Sequence, residues 1–396
     1  MRKIVPDRFG HAAFPLALPE RHRRRDLKSD LLPPDVTPAT LAQSIGANDW
    51  AAVRTVVVIT TGGTIASTSD EDGAKVASVS GATLMSGLPA GGSVSVRVVE
   101  AMNRNSYDIG FEQMDEISRL VKEALADIDT CGVVVTHGTD TLEESAMLVD
   151  LFHQDPRPVV FTGAQLSHDN QATDGPRNLC DAIAAAAAAD ARGLGVLVCF
   201  AGVLHSARGT RKVHNSADSA FLDADHGPLG TVIGDGCVRV HTRLRRAPTG
   251  LPPSVVIAGT RVDIVATFPG ADAAALEAVL AKGARGVVLQ ATGYGNANAE
   301  IVAAVERCTR AGVHVVLSSR VAAGVIKPVY GGGGGGVDLV AAGAISSGHL
   351  RPSQARILLA ALIASGRTRE EIVPAFAAEP DRYIESPEAV TPSLST

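Results

Sequence analysis

Apolar residues in this chain gather into short unbroken runs that stop on glycine and small polar residues. Val56-Val57-Val58-Ile59-Thr60 gives way to Thr61-Gly62-Gly63-Thr64, and Val133-Val134-Val135-Thr136 gives way to His137-Gly138-Thr139-Asp140. Runs of this length, rich in β-branched residues and bounded by turn formers, predict buried strands. Val94-Ser95-Val96-Arg97-Val98 alternates as a strand does. Phe111, Met114, Ile117, Leu120, Val121 and Leu125 recur at helical spacing, and a second helical pattern starts at Leu142 and runs to about Phe152. Strands follow at 159–162 and 196–200, with an alanine-rich helix over 181–190 between them. Strands alternating with helices predict βαβ units and a mostly parallel sheet.

The pattern breaks over residues 241–260, where a basic stretch leads into Pro248, Pro252 and Pro253, and this marks a boundary between domains. Beyond it the alternation restarts on a smaller scale. Strands are expected at 264–268, 286–290 and 313–317. Helices are expected around Leu276, Val279 and Leu280, over 298–311, and from Pro352 to Gly366. The fold class is therefore α/β: a larger N-terminal, mostly parallel sheet sandwiched by helices, plus a smaller C-terminal α/β domain. The expected division is an extension at 1–52, a catalytic domain at 53–240, a linker at 241–260, the second domain at 261–378 and a tail at 379–396. Residues 67–73 read as a polar loop able to act as a lid. The glycine run 331–336 reads as a flexible surface loop, because no Lys-Ser or Lys-Thr follows to make it a phosphate cradle.

Composition narrows the function. At 396 residues, 45% apolar and 20% charged, the chain can bury a sizeable core. Its net charge of −6 and lack of a broad Lys/Arg field argue against nucleic acid as a partner. No apolar run approaches the roughly 20 residues that span a bilayer, so no membrane role is expected. Arg23-Arg24-Arg25 follows a weak apolar run instead of preceding it, which is the wrong order for a secretory signal. The five cysteines are scattered and unpaired in motif, which suits reduced thiols and a cytoplasmic setting. No metal-ligand spacing occurs among the eleven histidines, and neither metal nor cofactor is expected.

The chemistry concentrates where the first and third strand runs end. In an open α/β sheet, ligands sit outside the carboxyl ends of strands. A helix start there offers unpaired N–H groups and partial positive charge to a carboxylate or an oxyanion. Thr64 and Thr139 stand at these two turns, with Asp140 beside the second. Hydrolysing an amide takes a nucleophile, a base that activates it and donors for the oxyanion. A threonine can serve if a lysine, neutral when it accepts the proton, is held nearby by an aspartate.

Thr61-Gly62-Gly63-Thr64-Ile65-Ala66 and His137-Gly138-Thr139-Asp140-Thr141 together resemble the two signature motifs of the bacterial-type L-asparaginases. The likeness extends through residues 161–165, 174–179, 195–198 and 318–321. It implies an L-asparagine amidohydrolase, with minor glutaminase activity, that gives L-aspartate and ammonia. By resemblance Thr64 is the nucleophile that forms an acyl-enzyme. Thr139, Lys212 and Asp140 form the supporting set, and Asp140 also contacts the substrate's α-amino group. Ser106 meets the α-carboxylate, and Gly63, Gly138 and Ala164 line the substrate, the glycines through backbone N–H groups. The resemblance also implies a homotetramer with sites at dimer interfaces, each completed by Asn298 of the partner subunit.

Bland roles compete: a helix cap for Thr64, a capping box for Asp140 with Glu143, a solvated lysine for Lys212. His137, at a strand end, fits packing or bonding to the turn better than a base. One departure stands out. The family's lid tyrosine has no counterpart, since no tyrosine occurs between Thr64 and Tyr107. Two rival readings are a glutamine-hydrolysing subunit of a transamidation complex and a non-catalytic binder of acidic amino acids.

Overall fold

The computed structural model describes residues 54–87, 94–234, 236–243 and 249–377. The expected extension at 1–52 and the tail at 379–396 lie outside the described residues, as do positions 244–248 of the expected linker.

The β-branched runs form the centre of an eight-stranded sheet. In chain order its strands are β1 (Arg54–Gly62), β4 (Val94–Arg104), β5 (Thr130–Thr136), β6 (Val159–Thr162), β7 (Val196–Phe200), β8 (Val203–Ser206), β11 (Gly230–Ile233) and β12 (Cys237–Val240). Two short hairpins stand apart from it: β2 (Ser67–Ser69) with β3 (Lys75–Ala77), and β9 (Thr210–Lys212) with β10 (Phe221–Asp223). The spatial order is β12-β11-β8-β7-β6-β5-β1-β4. Pairing is parallel from β4 to β7 and antiparallel from β7 to β12. Because β4 lies on one side of β1 and β5 on the other, the winding direction reverses between β1 and β5. Their carboxyl ends therefore flank a topological switch point, the crevice where ligands bind in such sheets.

Strand alternation sorts the core into two faces. Val56, Val58, Val134, Val160 and Leu197 point toward α4 (Gly175–Ala187), which follows α1 (Gly81–Ser86), α2 (Phe111–Ala126) and α3 (Leu142–Phe152). Val57, Ile59, Val133, Val135, Phe161 and Val198 point toward α2 and α3. Strands buried on both faces are why these runs contain almost no polar residue.

A second, all-parallel sheet, β13 (Val262–Ala266), β14 (Gly286–Ala291), β15 (His314–Ser319) and β16 (Ile345–Ser346), runs in that order. With it go α5 (Ala274–Ala281), α6 (Ala299–Arg310), α7 (Gly336–Ala341), α8 (Pro352–Ala364) and α9 (Arg369–Ala377). One face packs on α5 and α6 through Leu276, Ile301, Ala304 and Val305. The other packs on α8, and α8 in turn meets α3 of the larger sheet through Met147, Leu148, Leu151, Leu358 and Leu362. Helix α8 is thus apolar nearly all round, as a helix buried between two layers must be. It approaches β14 so closely that a Cβ at Gly286 would lie 2.8 Å from Leu359 Cδ2.

The α/β architecture expected from the sequence is the one observed, and four of the segments singled out there differ locally. The helix expected over 181–190 begins earlier, at Gly175, because Asp174 holds the preceding turn through the N–H groups of Gln165 and Leu166 and Pro176 tolerates a first helical turn. The polar loop at 67–73 is largely the β2–β3 hairpin. The strand expected at 264–268 is β13, shifted to Val262–Ala266, which leaves Phe268 exposed. The glycine run is held: Asp338 accepts from Gly333 N and Gly335 N at 2.8 and 2.9 Å, Asn296 accepts from Gly336 N at 3.1 Å, and Gly336 opens α7.

If α8 is the shared wall between layers, Leu359→Ala, at a fully buried position, should cost about 2–5 kcal/mol of unfolding free energy. A urea midpoint unchanged from the parent would contradict this.

Candidate active site

The turns after β1 and β5 touch backbone to backbone. Gly62 and Gly63 adopt φ of 99° and 77°, values that favour glycine. A Cβ at Gly63 would fall 2.3 Å from Gly138 Cα, and one at Gly138 would fall 2.6 Å from Ser106 Oγ. Three segments therefore nest only because two of the facing residues lack side chains. Thr64 and Thr139 each directly follow one of these glycines.

Ser106, almost fully buried, fixes the helix entry. Its Oγ accepts from Asp140 N at 3.1 Å, and its carbonyl accepts from Thr141 Oγ1 at 2.7 Å. Lys212, the last residue of β9, reaches this point from across the chain. Its Nζ donates to Thr139 Oγ1 at 2.8 Å and to Asp140 Oδ1 at 2.7 Å. Among the described residues these hydroxyl and carboxylate groups, and not Thr64, are the lysine's partners. Thr139 is buried, whereas the Asp140 side chain is 55% exposed, so the amine joins a buried hydroxyl to a solvated acid. A cavity of about 550 Å³ opens here, lined by Asp140, Glu143, Lys212, Val213, His214 and Asn215.

Other expected residues fall out differently. Gly63 N donates to Arg104 O at 2.9 Å, so this N–H is spent on the end of β4, and Gly63 contributes room for Gly138 instead of a ligand bond. The expected capping box is absent: Thr141 precedes α3 without a side-chain cap bond, and Glu143 bonds elsewhere. Ala164 is buried in the apolar cluster that holds Ile65 and Ala66, next to Thr64. Asn298 is not brought to the Lys212 cavity. Its side chain accepts from Ile301 N at 3.0 Å and donates to Ala271 O at 2.7 Å, and it borders a separate cavity of about 430 Å³ beside Tyr330 and the glycine run.

His137 fills the structural role expected of it. Nδ1 lies 2.7 Å from Gly138 O, which can only accept, so Nδ1 carries the proton and Nε2 accepts from Ser145 Oγ at 2.9 Å. Burial, partly offset by the Gly138 bond, holds the imidazole pKa down to about 4. The hairpin beyond Thr64 is tied to the loop after β6: Asp169 accepts from Ser69 N at 2.9 Å, from Ser69 Oγ at 2.8 Å and from Lys75 Nζ at 3.1 Å. These hairpin contacts, like those of Glu143 and Asp174, were not foreseen from the sequence. The hairpin and Glu143 pairings are long-range, and the Asp174 bonds reach back eight and nine residues; the local signal of each is a polar residue next to a motif.

With this geometry in view, comparisons with known proteins are decisive. A family model described as asparaginase, N-terminal matches residues 55–246, and one described as glutaminase/asparaginase C-terminal domain matches 261–376. The chain belongs to the asparaginase family. Among its relatives, an L-asparaginase of Bacillus licheniformis is 34% identical over 315 residues, covering 79% of this chain and 96% of that protein. A probable L-asparaginase of Deinococcus radiodurans is 35% identical over 325 residues, covering 81% and 97%. The crystal structure of a probable cytoplasmic L-asparaginase from Campylobacter jejuni superposes with a TM-score of 0.72 at 27% identity, covering 82% of this chain and 99% of that one. Both asparaginase-family motifs of this chain lie in the matched N-terminal region, as do Ser106 and Lys212.

Glu144, one residue past Glu143, yields a pH prediction. Burial, reinforced by Glu143, pushes its carboxyl pKa from 4.5 up to about 7, and among the described residues its Oε2 has no hydrogen-bond partner. The folded state thus binds this proton more tightly than the unfolded chain, and stability falls as pH rises from about 4.5 to about 7. Glu144→Gln should flatten that decline in denaturation midpoints measured across the range. An unaltered slope would refute the assignment.

Proposed function

We propose that this member of the asparaginase family is an L-asparagine amidohydrolase that releases L-aspartate and ammonia through an ester on Thr64, with minor activity on L-glutamine. The observation that carries the reading is the Lys212 amine shared between Thr139 Oγ1 and Asp140 Oδ1, beside the turn that bears Thr64.

Thr64 Oγ1 attacks the side-chain amide carbon, and its proton passes to the Thr139–Lys212 pair. Collapse of the tetrahedral adduct breaks the C–N bond, and the nitrogen takes a proton and leaves as ammonia. Water then adds to the ester, the C–O bond to Thr64 breaks, and the hydroxyl recovers its proton. Asp140 balances the lysine's charge while it is protonated. Its exposed carboxylate also suits the substrate's α-ammonium. Ser106 Oγ accepts from Asp140 N, which leaves its own hydroxyl proton for the α-carboxylate. Gly63 and Gly138 let the two turns close on each other beside the substrate, and Ala164 forms the inner wall. The Campylobacter relative is a probable cytoplasmic L-asparaginase, which supports a cytoplasmic location here. Completion of each site by Asn298 of the partner subunit, in a tetramer built from two such dimers, fits the distance in sequence and cavity between Asn298 and Lys212.

Ammonia release from asparagine tests this reading. Thr64→Ala and Lys212→Ala should each lower kcat/KM by roughly a thousandfold or more while the protein stays folded. Folded wild-type protein silent on both amides would overturn it in favour of a binding protein. Co-purification with a large partner subunit and glutamine as the sole substrate would favour a transamidation subunit.

A further inference from the structure

Lys212 sits on a poorly anchored element. Strand β9 has three residues and, among the described residues, pairs only with β10, outside both main sheets. What fixes it in place comes from elsewhere. Glu143 Oε2 accepts the backbone N–H of Lys212 at 2.7 Å, and Oε1 accepts from Ser353 Oγ at 2.5 Å. Ser353 belongs to α8, the wall shared with the smaller sheet. The next residue, Gln354, is buried and bonds the same segment at three further points. Its Oε1 accepts from Gly209 N at 2.8 Å, and its Nε2 donates to Ala207 O at 2.8 Å and Thr210 O at 3.1 Å.

We propose that Glu143, held by Ser353, is a positioning residue that sets the Lys212 amine against Thr139 by clamping the lysine's own backbone, with Gln354 completing the clamp. This deepens the amidohydrolase reading and rests on it for the role of Lys212. The lysine bonds Thr139 through a long flexible side chain, so its backbone origin decides where the amine lies. A misplacement of about 1 Å in a catalytic group can cost on the order of a hundredfold in rate. Glu143 needs no charge for this task. Burial pushes its carboxyl pKa up, while the Ser353 and Lys212 bonds oppose that rise. A glutamine could make both bonds, its carbonyl accepting from Lys212 N and its amide donating to Ser353 Oγ.

The test compares wild type, Glu143→Gln, Glu143→Ala and Ser353→Ala, each shown folded by its melting curve at the assay temperature. Glu143→Ala should lower kcat for asparagine roughly ten- to hundredfold with KM within about twofold, and Glu143→Gln should restore most of the rate. Ser353→Ala should fall between them. Hydrogen exchange over residues 207–213 reads the clamp without turnover. It should rise in Glu143→Ala and stay at the wild-type level in Glu143→Gln. Wild-type kcat in Glu143→Ala, unchanged exchange in that variant, or equal losses in the glutamine and alanine variants would each overturn the proposal. A wild type with no ammonia release but this exchange pattern would instead sink the amidohydrolase reading and leave the clamp standing.

Discussion

Two glycines meet where the winding of the larger sheet reverses, and the rest of the site depends on that contact. Gly63 and Gly138 approach so closely that a single methyl group at the first would overlap the backbone of the second. Their absence of side chains lets the ends of β1 and β5 close on each other and on Ser106. Two threonines are thereby delivered to one crevice from turns 75 residues apart in sequence, as the Thr61 Oγ1 bond to Thr136 O illustrates. Parallel strands with helices on both faces create such a crevice wherever the order reverses. Here the sequence fills it with hydroxyls and an acid.

The lysine limb is built on a different logic. Its ion pair with Asp140 is too exposed to contribute much stability, since surface pairs are worth about 0–1 kcal/mol. Its value lies in geometry. The buried end bonds Thr139, and the backbone behind the lysine is gripped by Glu143 and Gln354. Through Ser353 and α8 the smaller sheet has a hand in where the amine stands. The same interface carries Glu144, whose carboxyl pKa burial pushes up, so a layer contact rich in leucine and methionine also includes a titrating group close to the Lys212 cavity.

Much of this was legible in the sequence because it is local or strongly periodic. Runs such as 56–59 and 133–135 have no polar residue to expose, and strands covered on both faces need that pattern. Glycine pairs after such runs mark tight turns, and the resemblance joined two of them into one site. What was not legible depends on partners far along the chain. Glu143 sits in the first turn of a helix and looks like a cap. Only folding brings Lys212 N and Ser353 Oγ to it, from 69 and 210 residues away. The β2–β3 hairpin was read as a loop because its strands are three residues long and mostly polar. The start of α4 lies in the Asp174-Gly175-Pro176 turn, well before the alanine-rich run that carries the helical signal. The glycine run looked unsupported because the carboxylate that orders it, Asp338, follows the run instead of lying within it.

The central claim is that a hydroxyl of the first turn becomes acylated and the lysine–threonine pair of the second moves its proton. Mass spectrometry of protein quenched during asparagine turnover tests this most directly. The account predicts an added aspartyl group that maps by peptide to Thr64. An aspartyl group mapped to Thr139 or any other residue, or turnover that at no quench time carries one, would contradict it.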